Sequence, residues 1–139
     1  MKLLQILNEI EVINTMSYKI EVDGKIILVA PEDLGRMNWY EATEACKKLG
    51  PKWRLPTLEE LKAMYEQLHR EGKGNFKKKG KGNFKKKGKG NFKDDWYWSS
   101  SQNGSSYAWM VSFGGGNTYS ADKFYLGQVR PVRSPNPTI

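Results

Sequence analysis

Apolar positions along the chain change period several times, and each change marks an element. Leu3, Ile6, Leu7, Ile10 and Ile13 recur at helical spacing, so residues 1–15 are expected to be an amphipathic helix, laid on its own domain or used for oligomerisation or docking, or else a disordered leader. The pattern breaks at Met16. From Tyr18 to Val29 the text "YKIEVDGKIILV" holds two β-prone runs around Asp23-Gly24, a pair suited to a tight turn, so a β-hairpin is expected.

Two helices with marked ends follow. In "NWYEATEACKKLG", Asn38 and Glu41 stand at capping-box spacing, Ala42, Ala45, Cys46 and Leu49 share one face, and Gly50 stops the run. In "WRLPTLEELKAMYEQLHREG", Thr57 and Glu60 form a second such box, and Leu58, Leu61, Tyr65 and Leu68 make a stripe ending at Gly72. The remaining text is rich in aromatic, Ser, Gly and Asn residues. There, Trp109, Val111 and Phe113 alternate with Ala108, Met110 and Ser112, the pattern of a strand with one core face. "QVRPV" reads as a terminal strand with Pro131 at an edge or bulge. Hairpin, helices and then short strands make an α+β layout.

Charge alters this picture in one place. The 139 residues carry a net charge of +8, yet ten of the 23 basic residues fall between Lys73 and Lys93 with no acidic residue among them. The remainder, with 13 basic against 15 acidic residues, is nearly neutral. The run is a tandem repeat: "KGNFKKKG" occupies 73–80 and 81–88, and a third copy starts at Lys89 and stops at Lys93. Removing two units leaves "LHREGKGNFKDDWYWSSS", an ordinary helix-to-strand connection, so an expansion inside an existing loop is expected. Its Gly- and Lys-rich composition buries too little to offset ordering, which predicts a protruding, mobile insert at 73–93. Three uses stay open: a solvated loop with incidental, weak polyanion affinity, extra hairpin strands, or single-stranded nucleic-acid binding. In the last, Phe76 and Phe84 stack on bases while Lys77, Lys78, Lys79, Lys85, Lys86 and Lys87 meet phosphates.

Catalytic and metal chemistry find little material. Cys46 is the only cysteine and lies on an apolar helix face, so neither an intrachain disulfide nor a cysteine zinc site is expected. His69, the only histidine, is expected to cap the second helix or to be exposed. No phosphate-loop motif appears, the pairs Glu59-Glu60 and Asp94-Asp95 belong to element starts, and no cofactor is expected. The opening apolar run is interrupted by Gln5, Asn8, Glu9 and Glu11 and lacks a cleavage site, so no secretory export is expected. No segment reaches the roughly 20 apolar residues of a membrane span. The expectation is a protein that is cytoplasmic after synthesis, then virion-associated or delivered to a surface.

At "WRLPTLEELKAMY", "YWSSSQ", "AWMVSFGGG" and "VRPVRS" the chain resembles bacterial and phage domains of the C-type-lectin-like superfamily. The nearest branch holds the Fibrobacter succinogenes major paralogous domain and the C-terminal domain of the Legionella collagen-like adhesin. It is also similar to variable proteins diversified by retroelements. The resemblance covers about Tyr18 to Ser134 and implies a C-type-lectin-like domain over 16–139, with two helices flanking a small twisted antiparallel sheet whose long loops bear the ligand surface. It also implies that Trp53, Arg54, Leu55, Pro56, Trp98, Ser99, Ser100, Val129, Arg130, Pro131 and Val132 are scaffold. The Glu-Pro-Asn, Gln-Pro-Asp and Trp-Asn-Asp motifs of calcium-dependent lectins are absent, as are the paired cysteines of formylglycine-generating enzymes.

Between the scaffold strings lie "SQNGSSY" and "NTYSADKFY". Tyr offers contact area at low entropy cost, and Ser, Asn and Gly adapt their hydrogen bonding, as in antibody paratopes. These stretches nominate Gln102, Asn103, Ser105, Tyr107, Asn117, Tyr119, Asp122, Lys123 and Tyr125 as contacts for a protein or glycan ligand. The bland alternative is that they are polar turns.

Overall fold

A computed structural model describes residues 16–70 and 90–135. The expected N-terminal helix and the repeat residues Phe76 to Lys87 lie outside the described residues. Strands β1 (Tyr18–Val22) and β2 (Lys25–Val29) form the expected hairpin, turning at Asp23 and Gly24, both at positive φ. Short β3 (Arg36–Met37) leads into helix α1 (Trp39–Leu49). Asn38 accepts from the Glu41 backbone N–H at 2.9 Å while the Glu41 side chain accepts from the Asn38 backbone N–H at 3.1 Å, closing the capping box.

Helix α2 (Leu58–Met64) starts on the same device at Thr57 and Glu60, then continues as a π-helix over Tyr65–Arg70. Arg54 braces this start with two donors on the Glu60 carboxylate, at 2.7 and 3.0 Å. Burial works against the Glu60 charge, but the hydrogen bonds from Arg54 and Thr57 outweigh it and hold the carboxyl below its usual range. The wider π turn brings Leu68 and His69 both inward. His69 is therefore neither a cap nor exposed: it is 2% exposed and sits among Tyr65, Phe92 and Phe113, with Nε2 2.8 Å from Asp94 Oδ1. Strict 3.6-residue spacing does not anticipate that rotation.

Five more strands complete the fold: β4 (Trp96–Gln102), β5 (Tyr107–Ser112), β6 (Thr118–Asp122), β7 (Gly127–Gln128) and β8 (Val132–Arg133). They form one sheet of order β1-β2-β8 and another of order β3-β7-β4-β5-β6, in which β4 and β7 run parallel and the other pairs antiparallel. "QVRPV" is thus not one strand: Gln128 belongs to the larger sheet and Val132 to the smaller, and Val129–Pro131 carries the chain between them. The mixed α+β composition matches the expectation from the sequence.

Both faces of the larger sheet are covered. Trp98, Met110 and Tyr119 stand at successive register positions on one face, where Trp98, Met110, Ala108 and Ala121 meet Ala42 and Cys46 of α1. Tyr97, Val111 and Phe113 point the other way into a core shared with Leu61, Met64 and Leu68, and with Ile20, Ile27, Val29 and Val132 of the smaller sheet. Strand β5 therefore has two core faces rather than one, because a helix covers each side. Cys46 is buried, and burial pushes its thiol up to about 12.

The end of the repeat is built into the second core instead of protruding. Phe92 is buried against Phe113 and Tyr97, with ring centres 4.7 and 5.5 Å away. Burying such a ring contributes about 2–3 kcal/mol. Above it lies Arg130, whose guanidinium carbon is 4.1 Å from the Phe92 ring centre.

Candidate ligand-binding face

Helix α1 covers only part of its face of the larger sheet. Next to it, the segment from Lys123 to Leu126 crosses the sheet from β6 at one edge to β7 beside β4, as a strap. The strap is fixed by its first residue. Lys123 is 3% exposed; its Nζ donates to Gln102 Oε1 at 2.6 Å and to the Ser105 carbonyl at 2.9 Å, and lies 4.4 Å from the Trp39 ring centre. Its backbone N–H donates to the Ser106 carbonyl and its carbonyl accepts from the Trp39 N–H, both at 2.9 Å. At the other end, Gly127 lies so close to Met110 and to the Trp98 indole nitrogen that a Cβ would collide with the first and press on the second. Glycine lets the strap meet the sheet there without displacing the end of the Met110 side chain.

Between these anchors the strap turns its side chains outward. Phe124, Tyr125 and Leu126 are 71, 58 and 54% exposed, three consecutive apolar residues that burial does not account for. Exposed Tyr40 of α1 extends the patch, its ring centre 5.4 Å from that of Phe124. Beside the strap, Tyr125 and Leu126 join Trp96, Met110 and Tyr119 around an open cleft of about 550 Å³. Trp96 and Tyr119 lie with ring centres 5.5 Å apart. The cleft's charged lining residue is Arg36, which donates from Nη2 to the Leu126 carbonyl at 3.2 Å and has Nε 3.6 Å from Asp95. Asp95 is held in turn by the Trp96 N–H at 2.7 Å and Gln128 Nε2 at 3.1 Å.

The residues nominated from sequence divide among three places. Tyr119 and Tyr125 line the cleft. Gln102, Asn103, Ser105, Tyr107, Asp122 and Lys123 gather around the β4–β5 turn and the facing end of β6, where Tyr107 pairs with Asp122. Several of these shape the turn itself: Asn103 donates to Ser120 Oγ at 2.9 Å, and Asp122 accepts from the Phe124 N–H at 2.8 Å. Asn117 lies in the β5–β6 turn, its carbonyl accepting from Ser112 at 2.8 Å. Lys123 lies beneath the surface as the strap's anchor. The polyanion candidates Phe76, Lys77, Lys78, Lys79, Phe84, Lys85, Lys86 and Lys87 lie outside the described residues.

Sequence reasoning missed Arg36, Tyr40, Trp96, Phe124 and Leu126. The available signal was "FYL", three apolar residues between a turn-forming Asp122 and a glycine, a run too short for either period and so one that faces solvent.

Among the described residues no group of three or more His, Cys, Asp or Glu side chains is placed to hold a metal. Nor is any described helix long and apolar enough to cross a membrane. The face offers flat aromatic surfaces, a guanidinium and turn amides, which is equipment for holding a ligand. No curated protein matches the chain. A family model does, that of the Lcl C-terminal domain, over residues 17–133.

Proposed function

The chain belongs to the Lcl C-terminal domain family, and on that premise we propose that it is a non-catalytic, adhesin-type binding module of the C-type-lectin-like superfamily, engaging a protein or glycan ligand on a phage or bacterial surface. The observation that carries the reading is the strap: three consecutive exposed apolar side chains held between a buried lysine and a closely packed glycine, beside an aromatic cleft. An exposed apolar patch with fixed backbone suits recognition, because little ordering is needed when the ligand arrives.

Arrays of glycans and of surface proteins, probed with the intact chain and with a Tyr119→Ala, Tyr125→Ala variant, test it. The variant is expected to fold normally and lose at least tenfold in affinity for the ligand the intact chain selects. Undiminished binding by the variant refutes the cleft as the site. A signal confined to polyanions, falling steeply with salt and unaffected by those two changes, would point instead to the Lys-rich repeat.

A further inference from the structure

The segment Gly90–Lys93 is held by groups that lie outside it. Arg130 donates from Nη1 to the Gly90 carbonyl at 2.9 Å and from Nη2 to the Asn91 carbonyl at 3.1 Å, while its guanidinium covers the Phe92 ring. Asp33 fixes that guanidinium by accepting from Arg130 Nε at 2.9 Å and accepts the Tyr97 hydroxyl at 2.8 Å. Tyr97 accepts from the Lys93 N–H at 2.9 Å, and the Leu68 carbonyl accepts from the Gly90 N–H at 3.1 Å. Phe113 and His69 flank the ring.

The occupant meets this clamp with requirements that few sequences satisfy. A Cβ at residue 90 would press into the Phe92 ring and lie 3.1 Å from Leu68 Cβ, so glycine is needed there. Asn91 has φ +60°, a conformation Asn tolerates better than most side chains. Phenylalanine fills the hole, and only the backbone N–H of Lys93 enters the Tyr97 bond. "KGNFK" at 89–93 occurs identically at 73–77 and 81–85, so each copy carries every feature the clamp reads.

We propose that the Arg130–Asp33–Tyr97 clamp is a recognition site for any Lys-Gly-Asn-Phe-Lys copy of this chain, and that Phe76 and Phe84 compete with Phe92 for it by shifts of eight or sixteen residues. Connectivity permits all three registers. With Phe76 seated, residues 69–73 bridge Leu68 to Gly74, and the sixteen residues 78–93 fall between Lys77 and Asp94. Each shift moves chain from the helix side of the clamp to the strand side, and closure entropy depends only logarithmically on loop length. The register with Phe92 is favoured because it alone keeps the Asp95 N–H to Lys93 carbonyl bond at 2.9 Å and sets Asp94 directly after the seated copy, next to His69.

Thermal and urea unfolding of the full chain with Phe92→Ala, with Phe76→Ala/Phe84→Ala, and with all three changes tests the exchange. With exchange, the double variant unfolds like the parent, the triple variant loses roughly 10–20 °C in Tm, and Phe92→Ala loses less than half as much. Equal losses in the single and triple variants overturn the proposal, including the case where neither folds. A parallel set with Phe→Leu, which leaves a smaller void, gives the same ordering if copies exchange and identical single and triple losses if they do not.

Discussion

Arg130 lies on the connection between the two sheets, and its guanidinium serves acceptors from separate parts of the chain: Asp33, Ala30, Gly90 and Asn91. A buried charge is tolerated only when paired and fully hydrogen-bonded, and the planar fork of arginine reaches four acceptors where an ammonium cannot. Arg130→Lys is therefore expected to cost about 2–4 kcal/mol, read as a lower urea midpoint at unchanged slope. Its neighbour Tyr97 stays a donor to Asp33 well into alkaline solution, since burial, reinforced by the nearby Asp33 charge, raises its hydroxyl far above the ordinary tyrosine range. None of this was legible in "VRPV", where an arginine between apolar residues reads equally as an exposed strand position. Its acceptors lie about 40 and 100 residues away, and periodicity reports only local burial.

Helix starts and the hairpin were the most legible elements, because their signals are short-range and chemical. Asn38 with Glu41 and Thr57 with Glu60 each satisfy backbone donors within four residues, so sequence alone carries the geometry. The second box has a pH consequence whose sign follows from Glu60. Its folded-state pKa is depressed, so its contribution to stability is present above the unfolded carboxylate value and disappears as pH falls through the lower folded one. Glu60→Gln is expected to cost about 1–2 kcal/mol near neutrality. The gap between variant and parent should narrow as pH drops below about 4, a trend that urea titrations at several pH values will display. Less legible were elements set by what lies on top of them. Along β5 and into Phe113, Trp109, Val111 and Phe113 alternate with Ala108, Met110 and Ser112, and only the presence of a helix on each side reveals that both sets supply core residues. The strap's path was likewise illegible beyond the short apolar run "FYL", because it has no period and depends on one buried lysine and on Gly127.

Across the molecule, the larger sheet divides two kinds of business. One face, with α1 and the strap, carries the aromatic cleft; the other, with α2 and the smaller sheet, holds the clamp and the end of the repeat. Changes on opposite faces share no side-chain partner, so their effects should add. Phe92→Leu combined with Tyr125→Ala is expected to change stability by the sum of the two separate effects within about 0.5 kcal/mol. The Phe92→Leu variant alone should keep the parent's affinity for its ligand. A coupling well beyond that margin in unfolding titrations would show that the sheet transmits strain between its sides.

The placement of Phe92, at the end of the repeat, on the opposite face of the sheet from the cleft has a genetic corollary. Insertion or loss of whole octapeptide units at this locus alters length and cationic charge without rewriting any residue that lines the cleft. Copy number and the cleft's lining can therefore drift on independent clocks, one by slippage of a twenty-four-nucleotide unit and the other by point substitution along β6 and the strap.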